Sequence, residues 1–185
     1  MKLNNMAGRL ELIIGCMFSG KSTEMIRRLK RYKAINKNIL VINSLRDTRN
    51  PRSVLQTHDN ITFDCVKTDS LLELFCTDKI QSADIIAIDE AQFFSHLREF
   101  IEGILELNKH VIVAGLDGDF KQRIFGELLY LIPLADEVDK LKAMCMECND
   151  GTLGPFSKRI IDNTDQELIG ANEIYKSVCR MHLRN

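Results

Sequence analysis

The chain has 185 residues, 45% of them hydrophobic, and its 25 basic and 26 acidic side chains leave a formal net charge of -1. That is enough chain for a full core, one domain and a small appendage. The charge balance argues against a broad nucleic-acid or anionic-membrane footprint. No apolar run reaches the roughly 20 residues of a bilayer span, and the polar start over 1–9 lacks a secretory hydrophobic stretch, so a cytoplasmic protein without nucleic-acid or membrane partners is expected.

The run Leu10-Glu11-Leu12-Ile13-Ile14-Gly15-Cys16-Met17-Phe18-Ser19-Gly20-Lys21-Ser22 joins a short apolar strand to a G-x-x-x-x-G-K-S phosphate loop. Backbone N–H groups of such a loop surround a nucleotide's phosphates; Gly15 and Gly20 supply its unusual dihedrals, Lys21 reaches the terminal phosphates, and Ser22 holds Mg²⁺. A plain glycine turn with an exposed lysine is the blander alternative. Met25, Ile26, Leu29 and Tyr32 then recur at helical spacing while Arg27, Arg28, Lys30, Arg31 and Lys33 fill the other positions. That basic cluster is expected to be a solvated or subunit-contact face rather than a nucleic-acid site. Ile39-Leu40-Val41-Ile42 reads as a buried strand, 43–60 as a long polar loop, 61–66 as a short strand and 70–75 as a short helix.

Ala83-Asp84-Ile85-Ile86-Ala87-Ile88-Asp89-Glu90 is a second apolar strand, closing on two carboxylates in a Walker B pattern. An acid at this strand end organises Mg²⁺ beside the loop serine, which assigns Asp89 to the metal and leaves Glu90 free to act as a general base. Ordinary capping before Ala91 is the alternative. Val111-Ile112-Val113-Ala114-Gly115-Leu116 is a further buried strand, after which 117–123 passes into another helix. On spacing alone, Phe120 and Phe125 read as core rather than pocket. Alternation of strands and helices argues for parallel β-α-β units in a three-layer α/β core.

Beyond Leu131-Ile132-Pro133, Cys145-Met146-Glu147-Cys148 is answered by Cys179-Arg180-Met181-His182. Two such knuckles satisfy tetrahedral Zn²⁺ with three thiolates and an imidazole, a closed and therefore structural site. A frayed tail is the alternative at His182. Cys16, Cys65 and Cys76 have no such partners and read as small apolar side chains.

These segments, with Asp47-Thr48-Arg49, Thr57-His58-Asp59, Ile88-Asp89-Glu90-Ala91-Gln92-Phe93-Phe94, Asp117-Gly118-Asp119-Phe120-Lys121-Gln122, Ser157-Lys158-Arg159 and Glu167-Leu168-Ile169-Gly170-Ala171-Asn172-Glu173-Ile174-Tyr175, resemble the zinc-containing phosphate-loop thymidine kinases over nearly the whole chain. The resemblance implies an α/β fold: a RecA-like parallel-sheet domain over 1–140 and a zinc-ribbon domain with a lasso loop over 141–185. It implies transfer of the γ-phosphoryl group of ATP to the 5′-hydroxyl of thymidine or deoxyuridine, with structural Zn²⁺, Mg²⁺, feedback inhibition by thymidine triphosphate and a homotetramer. Met17, Phe18, Ser19, Gly20, Lys21, Ser22 and Thr23 would cradle the phosphates, Arg49 would lie close to them, Glu90 would take the 5′-hydroxyl proton, and Asp89 would serve Mg²⁺ through water. Met17, Phe93, Leu116, Phe120 and Phe125 would line the nucleoside pocket, reversing the core reading of the last two. Leu168, Ile169, Gly170 and Ala171 of the lasso would meet the base largely through backbone, and Tyr175 the sugar. Three positions depart from the family pattern: Cys16 stands for proline, Ala171 for glycine and His182 for cysteine. Cys16 carries an expectation of oxidative sensitivity, and Ala171 one of a disfavoured positive φ. The competing expectation is a phosphate-loop ATPase or switch whose zinc ribbon binds nucleic acid or a protein.

Overall fold

The computed structural model describes residues 7–48, 54–56 and 62–184. In chain order they form β1 (Arg9–Gly15), α1 (Lys21–Lys33), β2 (Ile39–Ser44), β3 (Val54–Gln56), β4 (Thr62–Asp64), β5 (Val66–Thr68), α2 (Leu72–Phe75), α3 (Asp78–Ser82), β6 (Ile85–Ile88), α4 (Leu97–Glu106), β7 (His110–Leu116), β8 (Glu137–Leu141), β9 (Ala143–Met144), β10 (Leu153–Gly154), β11 (Phe156–Arg159), β12 (Tyr175–Val178) and α5 (Arg180–Arg184). Six strands form one sheet in the order β5-β2-β6-β7-β1-β8, with every neighbouring pair parallel.

A parallel sheet is covered on both faces, so its strands are apolar on both. In β1, Leu10, Leu12 and Ile14 pack with Phe100, Ile101 and Ile104 of α4. Ile13 points the other way, against Met25, Ile26 and Leu29 of α1. The three expected layers follow, and because the strands are parallel their carboxyl ends share one edge. Among the described residues no helix is long and apolar enough to cross a membrane.

The structure departs from the sequence expectations in four places. Within 43–60, Val54–Gln56 is a strand, paired antiparallel with Thr62–Asp64. The strand expected over 61–66 is two: β4 belongs to that hairpin, and β5 joins the main sheet beside β2. The helix expected after 117–123 is a 3₁₀ stretch, Leu128–Leu134, that contains Pro133; proline has no N–H for an α-helical ladder. Fourth, Arg28 is buried rather than solvated.

Strand alternation explains Arg28. It turns Glu11 toward α1, where Arg28 Nη1 donates to its carboxylate at 2.6 Å and Arg28 Nε to Glu24 at 2.9 Å, with Asp139 of β8 as a further partner. Beyond Leu141 the chain forms two small antiparallel pairs, β9 with β10 and β11 with β12. Met146 N–H donates to Ser177 carbonyl at 2.9 Å, joining them. Of the three cysteines outside the paired motif, Cys16 and Cys65 are buried as expected, whereas Cys76 is exposed.

Candidate active site

The loop after β1 turns at Gly20, whose φ of 83° is a left-handed value that favours glycine. At Gly15 a Cβ would stand 2.5 Å from the Leu141 carbonyl oxygen, so this end of the loop is fixed by backbone proximity to β8. Lys21 opens α1 and is buried; its Nζ donates to the Cys16 carbonyl at 2.7 Å. Burial lowers its pKa, opposed by the nearby carboxylates of Glu90 and Asp89.

Asp89 and Glu90 follow directly on β6, the strand between β2 and β7. Ser22 Oγ donates to Asp89 Oδ2 at 2.7 Å. A hydroxyl beside a carboxylate is the hard-oxygen set that Mg²⁺ takes, and the residues fit that ion. Glu90 is buried with left-handed φ of 52° and ψ of 41°, uncommon for a side chain of this kind. Its Oε2 accepts 2.6 Å from Gln92 Nε2, while Gln92 Oε1 accepts 3.0 Å from the Leu116 N–H at the end of β7. Gln92 belongs to the motif Ile88-Asp89-Glu90-Ala91-Gln92-Phe93-Phe94 that carries the family resemblance, but no role of its own was legible in the sequence.

One cavity of about 320 Å³ gathers the expected residues. Met17, Phe18, Gly20, Lys21, Ser22, Thr23, Asp89 and Glu90 line it on the phosphate-loop side. Phe93, Leu116, Phe120 and Phe125 line its apolar part, so the two phenylalanines once read as core face the pocket. Phe93 and Phe125 meet edge to face at 5.6 Å. Leu168, Ile169, Gly170, Ala171 and Tyr175 line it from the lasso. Gly15 and Ser19 belong to the loop without lining the cavity; Arg49 and Thr57-His58-Asp59 lie outside the described residues.

Tyr175 is buried and its hydroxyl donates to the Leu168 carbonyl at 2.8 Å while accepting 2.6 Å from Arg159. Arg159 also lies 3.8 Å from the Phe120 ring centroid, so one guanidinium supports two walls of the cavity. Gln166 Nε2 bonds Asp119 Oδ2 at 2.9 Å, tying the lasso to the loop after β7. Ala171 is not among the residues with positive φ, so its methyl group meets no backbone penalty. Met17 N–H donates to Ser157 Oγ at 2.9 Å, and the Cys16 thiol to the Gly154 carbonyl at 3.2 Å, joining the phosphate loop to the strands that carry the lasso. Burial pushes the Cys16 thiol pKa up. A buried, protonated thiol is poorly reactive, which counts against the expected oxidative sensitivity.

The ligating atoms of Cys145, Cys148, Cys179 and His182 all lie within 4.8 Å of one another. Cys148 and Cys179 sulfurs are 3.8 Å apart, and His182 Nδ1 lies 3.4 Å from each. With zinc bonds of about 2.3 Å to sulfur and 2.0–2.1 Å to nitrogen, a tetrahedron has edges of about 3.8 and 3.6 Å. The cluster therefore fits zinc, His182 included. Burial opposes ionisation of Cys145, but N–H donors from Cys148, Cys179 and Glu147 hold its pKa down to about 6, favouring the thiolate a metal needs.

A parallel α/β sheet with this loop and strand-end carboxylates at its carboxyl edge defines a phosphate-loop nucleotide-binding protein. The crystal structure of the flagellar accessory protein FlaH from Methanocaldococcus jannaschii shares the fold, with a TM-score of 0.50 at 13% identity over 86% of this chain and 75% of that one. The family model described as thymidine kinase matches residues 8–183. The thymidine kinase of sheeppox virus (strain KS-1) is 46% identical over 94% of this chain and 95% of its own. That of Yaba monkey tumor virus (strain VR587) is 45% identical over 97% and 96%, and that of vaccinia virus (strain Western Reserve) 43% over 94% and 95%. The chain belongs to the thymidine kinase family and is a kinase.

Proposed function

We propose that this chain transfers the γ-phosphoryl group of ATP to the 5′-hydroxyl of thymidine, with deoxyuridine as the alternative acceptor, in the salvage of pyrimidine deoxynucleosides. The observation that carries the reading is the shared cavity: phosphate loop and strand-end carboxylates on one side, aromatic rings and lasso backbone on the other. Family membership supports both substrates.

Glu90 is assigned the general base. As the 5′-oxygen attacks the γ-phosphorus, its proton passes to the carboxylate, the bond to the β-phosphate oxygen breaks, and ADP departs. Gln92 steadies the carboxylate through its 2.6 Å bond. Lys21 and Arg49 neutralise charge on the phosphates, and the loop from Gly15 to Thr23 cradles them. Ser22 and Asp89 would hold Mg²⁺, which neutralises phosphate charge when bound. Met17, Phe93, Leu116, Phe120 and Phe125 enclose the pyrimidine, Leu168, Ile169, Gly170 and Ala171 close over it, and Tyr175 braces the lasso near the sugar. Cys145, Cys148, Cys179 and His182 would hold a structural Zn²⁺ at the root of the lasso.

The same reading takes thymidine triphosphate as an inhibitor spanning both halves of the cavity, a homotetramer as the assembly, and the cytoplasm as the location. It divides the chain into a nucleotide-binding domain, 1–140, and a zinc-binding lasso domain, 141–185; the end of the parallel sheet at Leu141 supports that division. The test is transfer of label from γ-labelled ATP to thymidine, compared with release of free phosphate. Labelled thymidine monophosphate in excess over free phosphate is expected. Phosphate release with unlabelled nucleoside would favour an ATPase and overturn the reading.

A further inference from the structure

A second cavity, of about 380 Å³, is lined by Lys121, Lys158, Arg159, Arg180 and Arg184, and no acidic residue is among its lining side chains. Five of the chain's 25 basic residues thus meet at one small site, although the formal net charge is -1. The contacts that hold two of them, Lys121 and Arg180, are rings and a carbonyl. Lys121 Nζ lies 5.0 Å from the Phe120 centroid and bonds the Thr164 carbonyl at 3.0 Å; the Arg180 guanidinium lies 4.6 Å from the Phe156 centroid. Such contacts position a cation without neutralising it. Arg180 and Arg184 are four residues apart on α5 and so share a face.

Arg159 braces the wall of this cavity from within. It is only 8% exposed, and its terminal nitrogens donate to the carbonyls of Asn163, Asp165 and Gln166 and to Tyr175. Its Nε, also buried, is the one buried side-chain N or O among the described residues with no hydrogen-bond partner. Buried donors are normally satisfied; this one is closed off beneath the cavity wall rather than facing it, so the case for a ligand rests on the cationic lining itself. Guanidinium groups match phosphate oxygens in pairs, and the volume suits a small ligand rather than a duplex.

We propose that this cavity binds a short phosphate chain, inorganic or the tail of a nucleotide, separately from the catalytic cavity. The ligand would also steady Arg159, which supports Phe120 and the lasso together, so its occupancy would be felt in thymidine binding.

Equilibrium dialysis of labelled pyrophosphate tests the site on the zinc-loaded full chain, with the catalytic cavity blocked by thymidine and a non-hydrolysable ATP analogue. Saturable binding is expected. The double variant Arg180→Ala with Arg184→Ala should weaken it at least about tenfold through loss of two charge-assisted partners, and Lys121→Gln should weaken it too. Arg27→Ala with Arg31→Ala, which removes the same charge from the exposed face of α1, should leave it unchanged. Should the α5 variant lose zinc, Lys121→Gln decides. Displacement by ADP more readily than by orthophosphate would identify the nucleotide tail as occupant, and the reverse an inorganic one. Absence of saturable binding, equal weakening in the α1 control, or displacement by a single-stranded oligonucleotide ahead of both would overturn the proposal.

Discussion

Glu90, the proposed general base, is a buried carboxylate on a left-handed backbone, φ 52°, with Gln92 Nε2 at 2.6 Å. Such a conformation in a residue other than glycine costs on the order of 1–3 kcal/mol and persists where the surroundings enforce it. Here β6 ends immediately before Asp89, which turns to Ser22, and the chain must then enter the short 3₁₀ turn Ala91–Phe93. Neighbouring carboxylates are thereby aimed at different tasks. Glu90→Gln keeps the shape and removes the proposed proton acceptor. Turnover should fall about 10²- to 10⁴-fold, the range of general-base catalysis, while ATP affinity in a direct binding assay stays within about twofold. Undiminished turnover would take the base role away from Glu90.

At the scale of elements, the pairing of α1 with β1 and β8 rests on a buried charge cluster as well as on apolar packing. Burial alone would raise the Glu11 pKa, but hydrogen bonds from His110 and Arg28 hold it down to about 2. A depressed carboxylate pKa stabilises the fold above the unfolded value, 4.5, and that contribution drains away as pH falls toward 2. Arg28→Ala would remove the most buried of Glu11's cationic partners and leave it with Arg9 and His110, an effect of up to about 3–5 kcal/mol, the range for a broken buried pair. In urea unfolding at neutral pH this variant should lose that much, whereas Arg27→Ala, on the exposed face, should match the parent. Glu11→Gln should flatten the loss of stability between pH 4.5 and 2; an unchanged acid limb would show that Glu11 is not the titrating group.

The same cluster marks a limit of sequence reading. Arg28 sits in a run of five basic residues, and local spacing cannot distinguish the one that meets Glu11 and Asp139 across the layer. The phosphate loop, the strand-end acids and the paired cysteines were legible because their chemistry demands fixed spacing in a fixed context. The short hairpin β3–β4 and the 3₁₀ stretch before β8 were not, since tertiary packing decides elements of a few residues. Phe120 was ambiguous for the same reason: only the placement of Arg159, 39 positions later, turns its ring into a cavity wall.

At the scale of the molecule, the metal cluster and the catalytic cavity are coupled through short strands rather than through a large core. Cys145 and Cys148 follow β9, Cys179 follows β12, and the lasso leaves β11 and returns through β12. Pairs this small are marginal without added constraint, so a zinc ion held by Cys145, Cys148, Cys179 and His182 would supply their rigidity. The main sheet carries its own buried core on both faces and does not share that dependence. Chelation should consequently separate the two halves of the cavity. With zinc removed by a strong chelator, the thymidine KM should rise at least about tenfold, equivalent to 1.4 kcal/mol of lost binding. Nucleotide affinity should fall less, because the loop of 15–22 keeps its seat on β1 and α1 and loses only what Ser157 and Gly154 provide. Circular dichroism should show the helical signal of α1 and α4 retained at temperatures where thymidine affinity is already lost. Unchanged thymidine affinity after verified zinc removal would mean that the lasso is held by its contacts to Asp119 and Phe120 alone, and that the cluster stabilises only the C-terminal turn.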